Sequence, residues 1–376
     1  NRPDGREGTK MTLSNRFPDR GKIGPTPAVT ARADESFLDY IKDVRSALMM
    51  GRAKEIHPQA NAAIRDAGLT FAPTASAVEA IRGVIRERVP EAGVWARVYR
   101  STQEAFWNRV ADSYDLRRED FLRLLDEWDT RGPGSVQWDP NYEYPIYSRV
   151  ETHRQPGGYV GDPLAGLRFD YGTRVFHGKV GDDDALHKAL AAKAPLPLDG
   201  RAARIMDIGC AIGELACELK RRFPDSEVWG SDISAPMVRY AHYRAAVQNL
   251  DVHFIQKAAE DLDELPAASF DLVTVYILFH EVPRPVVDRT LANVFRLLRP
   301  GGTFWITDFP TLDDQTVGMK YTDFLGAIDS ADNSEPYAPE FVTSRLEERL
   351  AKVGFKLRYP DRAEIGVHGR VCDKPA

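Results

Sequence analysis

Two carboxylates and two glycines in the second half of the chain have the types and spacing of a ligand site. Residues 204–214 begin with an apolar run that ends around Asp207 and continues through Gly209 and Gly213 into a helical pattern. Glycines at such a turn let a ligand approach the main chain where a Cβ would clash. The N–H groups that begin the helix favour an anionic or strongly polar group. Asp232 follows 25 residues after Asp207, where a carboxylate can accept hydrogen bonds from two ribose hydroxyls.

Two further segments contain groups suited to acid–base chemistry. Residues 276–283 read Tyr-Ile-Leu-Phe-His-Glu-Val-Pro, which places His280 and Glu281 directly after an apolar run. Histidine suits base catalysis near neutral pH because its ordinary pKa lies close to that pH. His153, in the segment 152–159, is a second candidate. For His280 and Glu281, an equally good interpretation is that they cap and hydrogen-bond their loop.

Alternating strands and helices are expected to position these groups. Apolar runs predict strands at 205–208, 228–231, 252–256, 272–276 and 303–308, with helices near 214–222, 235–248 and 284–298. Such alternation indicates a parallel sheet with helices on both faces, in which ligands lie at the carboxyl ends of the strands. A helix at 341–353 and two antiparallel strands within 354–358 and 363–368 are expected to complete this half.

The chain divides into four regions by composition. Residues 1–35 are rich in Gly, Pro and charge, and are expected to form a disordered leader. Residues 36–130 form a helical region, with helices predicted near 37–48, 75–90, 103–113 and 117–129. Residues 131–184 interleave aromatic residues with Pro and Gly, which indicates either a packed linker or a lid over a ligand pocket. Residues 185–376 form the sheet domain, in which 311–340 is a cap insertion.

Composition limits the classes of function. A chain of 376 residues is long enough for a core domain and a second domain. Its net charge of −6 contrasts with the basic surface that is typical of nucleic-acid-binding proteins. No apolar run approaches the ~20 residues of a membrane span. Cys210, Cys217 and Cys372 have neither zinc-site nor disulfide spacing. We therefore expect no nucleic-acid partner, no membrane span, no metal, and a reducing, cytoplasmic setting.

The spacing of the glycines separates two kinds of nucleotide-containing cofactor. A dinucleotide enzyme also places an acid near the position of Asp232, but its fingerprint is G-x-G-x-x-G. Here the turn reads Gly209-Cys-Ala-Ile-Gly213, and no pyrophosphate cradle is evident. A nicotinamide-dependent oxidoreductase is therefore the less favoured enzyme, and a non-catalytic scaffold or regulatory partner is a third alternative.

Four blocks of sequence resemble those of the class I S-adenosylmethionine-dependent methyltransferases. The blocks are Asp207–Gly213, Gly230–Met237, Phe270–Thr274 and Leu298–Gly302, in matching order and spacing. The resemblance implies an α/β fold, a Rossmann-like seven-stranded sheet with an N-terminal, mostly helical domain. It also implies methyl transfer from S-adenosylmethionine (SAM) to a small-molecule acceptor. The Phe279-His280-Glu281 segment looks most similar to the quinone and sterol C-methylating branch of the family, and small-molecule O- and N-methylating enzymes share it.

The resemblance assigns cofactor-binding roles to matched positions. The loop after Asp207 is expected around the methionine part of SAM, Asp232 at its ribose, and Met237 at its adenine. Many relatives have Asp where this chain has Ala258, so the contact to the adenine amino group is expected to move to Glu260, Asp261 or a backbone carbonyl. The predicted cofactor-binding residues are Tyr171, Asp207, Gly209, Cys210, Gly213, Asp232, Ile233, Met237, Ala259, Glu260, Asp261 and Tyr276.

The resemblance also places the acceptor beside residues 276–283. His280 is the preferred base, and Glu281 and His153 complete the predicted catalytic residues. A base is needed only if the acceptor must lose a proton, because alignment and exclusion of water already assist an in-line displacement. The aromatic connector favours an apolar or aromatic acceptor, and residues 329–337 are expected to help form its pocket. The N-terminal helices are a candidate homodimer interface.

Overall fold

The computed structural model describes residues 19–178, 184–311, 323–361 and 368–376. Its strands are β1 (Lys22–Ile23), β2 (Thr26–Pro27), β3 (Ser135–Gln137), β4 (Arg204–Ile208), β5 (Glu227–Asp232), β6 (Val252–Gln256), β7 (Phe270–Tyr276), β8 (Leu298–Asp308), β9 (Lys356–Asp361) and β10 (His368–Asp373). Its helices are α1 (Arg32–Ser46), α2 (Ala53–Asp66), α3 (Ala75–Arg88), α4 (Pro90–Asp115), α5 (Arg118–Trp128), α6 (Ala165–Phe176), α7 (Ala185–Lys193), α8 (Glu214–Arg222), α9 (Ala235–Ala246), α10 (Arg284–Leu297), α11 (Asp323–Asp332), α12 (Ala338–Val342) and α13 (Leu346–Val353). A π-helical stretch, Ala47–Arg52, joins α1 to α2, and 3-10 turns lie at Ile146–Arg149, Thr152–Arg154 and Phe279–Glu281.

The central sheet has the strand order β3-β6-β5-β4-β7-β8-β10-β9. Neighbouring strands from β3 to β8 are parallel, whereas β10 pairs antiparallel with both β8 and β9. The strand order reverses at β4, since β5 lies on one side of it and β7 on the other. The carboxyl ends of these three strands therefore flank the switch point at which such sheets bind ligands. The predicted α/β sheet is confirmed.

The sheet contains one strand more than the seven expected. The additional strand, β3, comes from the connector and pairs with β6 at the edge of the sheet. Gly134, which precedes it, has a φ of +81°, and a Cβ there would lie 2.2 Å from the Val252 carbonyl oxygen. Only glycine allows this close approach. A strand of three residues contains too little periodicity to be recognised in a sequence.

Apolar layers cover both faces of the sheet. On one face α7, α8 and α9 pack on the strands, where Val238 and Phe254 are fully buried. On the other face α10 and α13 pack on the same strands, where Leu291 and Ile306 are fully buried. Parallel strands that are covered on both faces are near-continuous apolar runs. This explains why the positions of β4 to β8 could be predicted.

The helical N-terminal region shares apolar cores with the rest of the chain. Helices α1, α4, α5 and α6 pack with α9, where Trp107 and Tyr240 belong to one cluster. Helices α2, α3 and α4 pack around α11, where Trp95 contacts Phe324. The connector 131–184 thus contains a packed helix, α6, and the cap insertion contacts the N-terminal helices through α11.

Several predicted boundaries need correction. Residues 1–18 of the expected leader lie outside the described residues, but a disordered leader is wrong for residues 19–35. There a β1–β2 hairpin leads into α1, Val29 is fully buried, and the Thr26 hydroxyl donates to Asp170 at 2.8 Å. The hairpin could not be predicted because the segment is rich in Gly and Pro, a composition that is typical of disordered chains.

Other helix and strand predictions differ in extent. The helix predicted at 103–113 is the second half of the 26-residue α4, and the helix predicted at 341–353 is divided between α12 and α13. Most of the predicted strand 363–368 lies outside the described residues, and β10 begins at His368. Within the described parts of the chain, no helix is both long and apolar enough to cross a membrane.

Candidate active site

The loop between β4 and α8 follows the main chain of the β5 end closely. Gly209, Ala211 and Gly213 have φ values of 70°, 44° and 75°. The N–H groups of Gly209 and Cys210 donate to the Ser231 carbonyl at 2.8 and 2.9 Å. The φ of Gly209 favours glycine, and a Cβ there would lie 2.8 Å from the Leu278 side chain, which would have to shift.

Asp207 lies at the carboxyl end of β4 beneath this loop. Its carboxylate is 2% exposed and accepts a hydrogen bond from the Thr274 hydroxyl at 2.8 Å. Burial raises the pKa of Asp207 to about 7, and the bond from Thr274 only partly opposes this rise. A cationic or hydroxyl-bearing ligand beside this carboxylate would stabilise its charged form.

Asp232 lies at the end of β5, where the sequence predicted a ribose-binding acid. One carboxylate oxygen accepts from the Ala211 N–H at 3.0 Å, and the other accepts from the Ser234 N–H at 2.9 Å. Burial raises the pKa of Asp232 to about 6 against these two main-chain bonds. Since a carboxylate has roughly four lone-pair positions, Asp232 keeps acceptor capacity for a ligand.

Glu260 borders the cavity beside the end of β6. One of its carboxylate oxygens accepts from the Tyr147 hydroxyl at 2.5 Å, and Oε2 is buried without a partner among the described residues. Asp261, the alternative for the adenine amino group, is exposed and does not line the cavity, because a turn closed by its N–H and the Ala258 carbonyl directs it to solvent. The prediction for Asp261 is therefore not supported by the geometry.

Tyr171 is placed differently from the prediction. Its ring is buried in the helical core, 6.4 Å from the ring of Tyr114, and does not line the cavity. The cavity face of α6 consists instead of Phe169, Thr173 and Phe176, which lie at helical spacing. A residue two positions from Phe169 faces the opposite side of the helix, so Tyr171 cannot join this face.

His280 forms a buried pair with Asp308. The side chain of His280 is fully buried, its Nδ1 lies 2.7 Å from the Asp308 carboxylate, and its ring stacks on Phe309 at 4.2 Å. Asp308 also accepts from the N–H groups of Phe279 and Phe309 at 2.7 Å. Burial alone would lower the pKa of His280, but Asp308 outweighs it and raises the pKa to about 9. His280 lines the cavity, and its Nε2, 4.0 Å from a Glu281 carboxylate oxygen, has no hydrogen-bond partner among the described residues.

His153 lies between two carboxylates. Its Nε2 is 3.2 Å from Glu281 and its Nδ1 is 3.1 Å from Glu335, a residue of the 329–337 segment that was expected at the acceptor pocket. Burial opposes the charge, but the two carboxylates raise the pKa of His153 to about 10. Glu281 also accepts from the Tyr159 hydroxyl at 3.2 Å. The structure thus brings all three predicted catalytic residues to one place.

One cavity of about 580 Å³ connects these groups. Its first end is lined by predicted residues at the strand ends, namely Asp207, Gly209, Cys210, Asp232, Ile233, Met237, Ala259, Glu260 and Tyr276. Gly213 lies behind the loop, where a Cβ would come within 2.8 Å of the Phe254 ring. Burial raises the pKa of the Cys210 thiol, which makes it a poor nucleophile.

The second end of the cavity is built by residues that the sequence did not single out. They come from the N-terminal helices, from α6 and from α11, and include Met49, His57, Trp95, Tyr99, Phe176, Leu325 and Ile328. Trp95 and Tyr99 are spaced as neighbours on one face of a helix, a pattern that a sequence shows equally for core residues. Tyr147, Tyr159 and Phe169 of the aromatic connector also line the cavity, as the lid interpretation predicted.

Comparisons with known proteins agree with this geometry. Residues 205–302 match a family model described as a methyltransferase domain. A demethylmenaquinone methyltransferase of Thermus thermophilus is 31% identical over 44% of this chain and 79% of its own length. One of Deinococcus radiodurans is 31% identical over 51% and 82%.

A solved SAM-dependent methyltransferase from Aquifex aeolicus is 19% identical, with a TM-score of 0.39 over 57% of this chain and 98% of that chain. The identity and coverage of the two curated relatives show the family. The chain belongs to the class I SAM-dependent methyltransferases, and SAM is its cofactor.

Proposed function

We propose that this methyltransferase acts on a small acceptor with an aromatic body, by in-line displacement, and that His280 removes a proton from the acceptor. The observation that supports this proposal is one cavity that is lined both by carboxylates at the strand ends and by aromatic side chains. His280 lines this same cavity. An acceptor bound against the aromatic side chains therefore shares one cavity with the cofactor and the base.

The residues at the first end fit SAM. The buried Oε2 of Glu260 has no partner among the described residues, which is costly unless a ligand supplies a donor such as the adenine amino group. Asp232 has acceptor capacity for ribose hydroxyls. When bound, SAM supplies a methyl group that its sulfonium makes electrophilic. The residues assigned to hold it are Asp207, Asp232, Ile233, Met237 and Glu260.

The second end fits a flat apolar body. Trp95 and Tyr99 stack with ring centroids 5.2 Å apart and an interplanar angle of 6°, and both line the cavity. Phe176 and Ile328 add apolar surface. Aromatic walls with a few polar groups bind and orient aromatic ligands. The names of the two relatives designate a quinone, demethylmenaquinone, which supports an aromatic acceptor here.

The His280–Asp308 pair is arranged for proton removal. Asp308 accepts from Nδ1, so the neutral ring carries its proton there and its lone pair on Nε2, and the residue lines the cavity. Because the pKa of His280 is raised to about 9, the neutral form predominates only above that pH in the absence of ligand. A cation bound in the same cavity lowers this pKa, because like charges disfavour the imidazolium.

Cofactor binding can be tested without an acceptor. Isothermal calorimetry with S-adenosylhomocysteine (SAH) should show binding, and Asp232→Asn should weaken it at least ~10-fold, because hydrogen bonds to a charged group are lost. Asp263→Asn, at an exposed acid outside the cavity, is the matched control and should bind as the wild type does. Equal affinities for wild type and Asp232→Asn would contradict the ribose assignment.

The acceptor and the base are tested by methyl transfer from labelled SAM to naphthols and dihydroxynaphthalenes. His280→Gln should lower kcat ~100-fold or more, the usual contribution of a general base. It should also abolish the rise of kcat/KM for the acceptor with pH, which the wild type should show below about 9 because the bound SAM cation lowers the pKa of His280 from that ligand-free value. His253→Gln, at a histidine outside the cavity, is the control.

Full turnover by a folded His280→Gln enzyme would exclude His280 as the base. SAH binding without transfer to any aromatic hydroxyl compound would contradict the acceptor class.

A further inference from the structure

The acceptor end of the cavity contains a buried carboxylate, Glu335, that the proposed proton removal does not use. Glu335 is 2% exposed and lines the cavity. Its Oε1 lies 3.1 Å from His153 Nδ1 and accepts from the Asn333 amide. Its Oε2 is buried and has no partner among the described residues. Since a buried carboxylate oxygen without a donor is costly, a donor from a ligand would stabilise this site.

His153 holds this carboxylate in position. Its Nε2 and Nδ1 lie 3.2 and 3.1 Å from Glu281 and Glu335, which are ion-pair distances for the charged ring, although the Nδ1 contact does not have hydrogen-bond geometry. Gln103 of α4 donates to the His153 carbonyl at 2.7 Å and to the Asn333 side chain at 2.5 Å. These bonds fix the loop of His153 and the turn of Glu335 to the same helix. His153 is therefore a positioning residue rather than a base.

His280 and Glu335 thus line one cavity, and each has a buried polar atom without a hydrogen-bond partner among the described residues, Nε2 of His280 and Oε2 of Glu335. We propose that Glu335 binds a second hydroxyl or amino group of the acceptor, distinct from the group that is deprotonated for methylation. The enzyme then selects aromatic acceptors with two hydrogen-bond donors. This inference rests on the proposed methyl-transfer function. An acceptor with a single donor leaves the Glu335 oxygen desolvated and unpaired, so the enzyme binds that acceptor more weakly.

Calorimetry on the SAH-saturated enzyme tests the selection. The probes are the isomeric dihydroxynaphthalenes, which vary the separation of two hydroxyls, and the two naphthols, which have one. At least one diol should bind ~10- to 100-fold more tightly than either naphthol, the range for a hydrogen bond to a charged group. Glu335→Leu should abolish this preference, and the isosteric Glu335→Gln should retain a reduced one. Both variants should bind SAH as the wild type does, and Glu348→Gln, at an exposed acid, is the control.

The role of His153 is tested by comparing how a substitution changes KM and kcat. His153→Gln should raise KM for the preferred diol ~10-fold and change kcat less than ~3-fold, because the lost positioning affects binding rather than proton removal. A kcat as low as that of His280→Gln would instead make His153 part of the proton transfer.

Equal binding of diols and naphthols by the wild type, binding of neither, or a preference that survives Glu335→Leu would overturn the assignment to Glu335. These outcomes remain distinct from failure of the proposed function. An enzyme that methylates a naphthol without preferring diols keeps the function and loses the inference. An enzyme that prefers diols through Glu335 but transfers no methyl group loses the function.

Discussion

Replacement of Asp308 by asparagine gives the sharpest test of how the base is tuned. Asp308 is fully buried and lies 2.7 Å from His280 Nδ1. The rise in the pKa of His280 from 6.5 to about 9 corresponds to about 3 kcal/mol of favourable interaction with the charged ring, at ~1.36 kcal/mol for each pKa unit. The asparagine would keep the size of the side chain and remove its charge. Burial, which lowers the pKa of His280, would then be opposed only by the charges of Glu335 and Glu281, so this pKa should fall well below about 9.

The sign of the effect on stability follows from this raised pKa. A histidine whose pKa is raised in the folded state contributes stability that is complete below pH 6.5 and is lost as the pH rises through about 9. Asp308→Asn should therefore lower the free energy of unfolding by about 2–3 kcal/mol at pH 6, as the shift in pKa implies. Above pH 9 a smaller loss of stability should remain, because the N–H groups of Phe279 and Phe309 donate weaker hydrogen bonds to a neutral asparagine than to the carboxylate.

NMR titration of histidine-labelled protein and denaturation by urea at several pH values measure both quantities. His280→Gln identifies the resonance of His280, and Asp263→Asn controls for loss of a surface carboxylate. A His280 pKa that stays near 9 in Asp308→Asn would refute the reasoning. A stability difference that does not shrink between pH 6.5 and 9 would refute it equally.

Two further substitutions test the loop and the lid. Gly213→Ala should lower the free energy of unfolding by about 1–3 kcal/mol in urea denaturation, because the φ of 75° is unfavourable and the Cβ would lie 2.8 Å from the Phe254 ring. Gly200→Ala, with a φ of 74° and open space around it, should cost less, and an equal cost would show that the contact with Phe254 is unimportant. Tyr147→Phe removes the hydroxyl that holds Glu260, and should weaken SAH binding ~3- to 10-fold in calorimetry. An unchanged affinity for SAH would contradict the assignment of Glu260 to adenine binding.

The sheet and the carboxylates at its edge could be predicted because their signals are local. Strands β4 and β5 are covered on both faces, so each is an apolar run, and the acid that follows each run lies at the carboxyl edge by topology. Asp207, Asp232 and His280 all border the cavity for this reason. Strand β3 had no such signal, since its place at the sheet edge depends on a single close approach of Gly134 to Val252.

The acceptor side could not be derived from the sequence because its contacts are distant along the chain. Glu335 contacts His153 although the parallel strands β4 to β8 all lie between these two residues in the sequence. The turn that contains Glu335 also resembles an ordinary polar turn. Trp95 looks like a core residue of an amphipathic helix until the structure shows that it lines a cavity. The resemblance assigned Tyr171 to the cofactor, but helical geometry turns Tyr171 into the helical core and places Phe169 at the cavity.

One short stretch of the connector contacts both ends of the cavity. The Tyr147 hydroxyl donates to Glu260 at the cofactor end, and the Tyr159 hydroxyl donates to Glu281 at the acceptor end. A shift of this stretch that changes one of these contacts therefore also changes the other. The consequence is energetic coupling: binding of the cofactor at one end is expected to alter the affinity for the acceptor at the other.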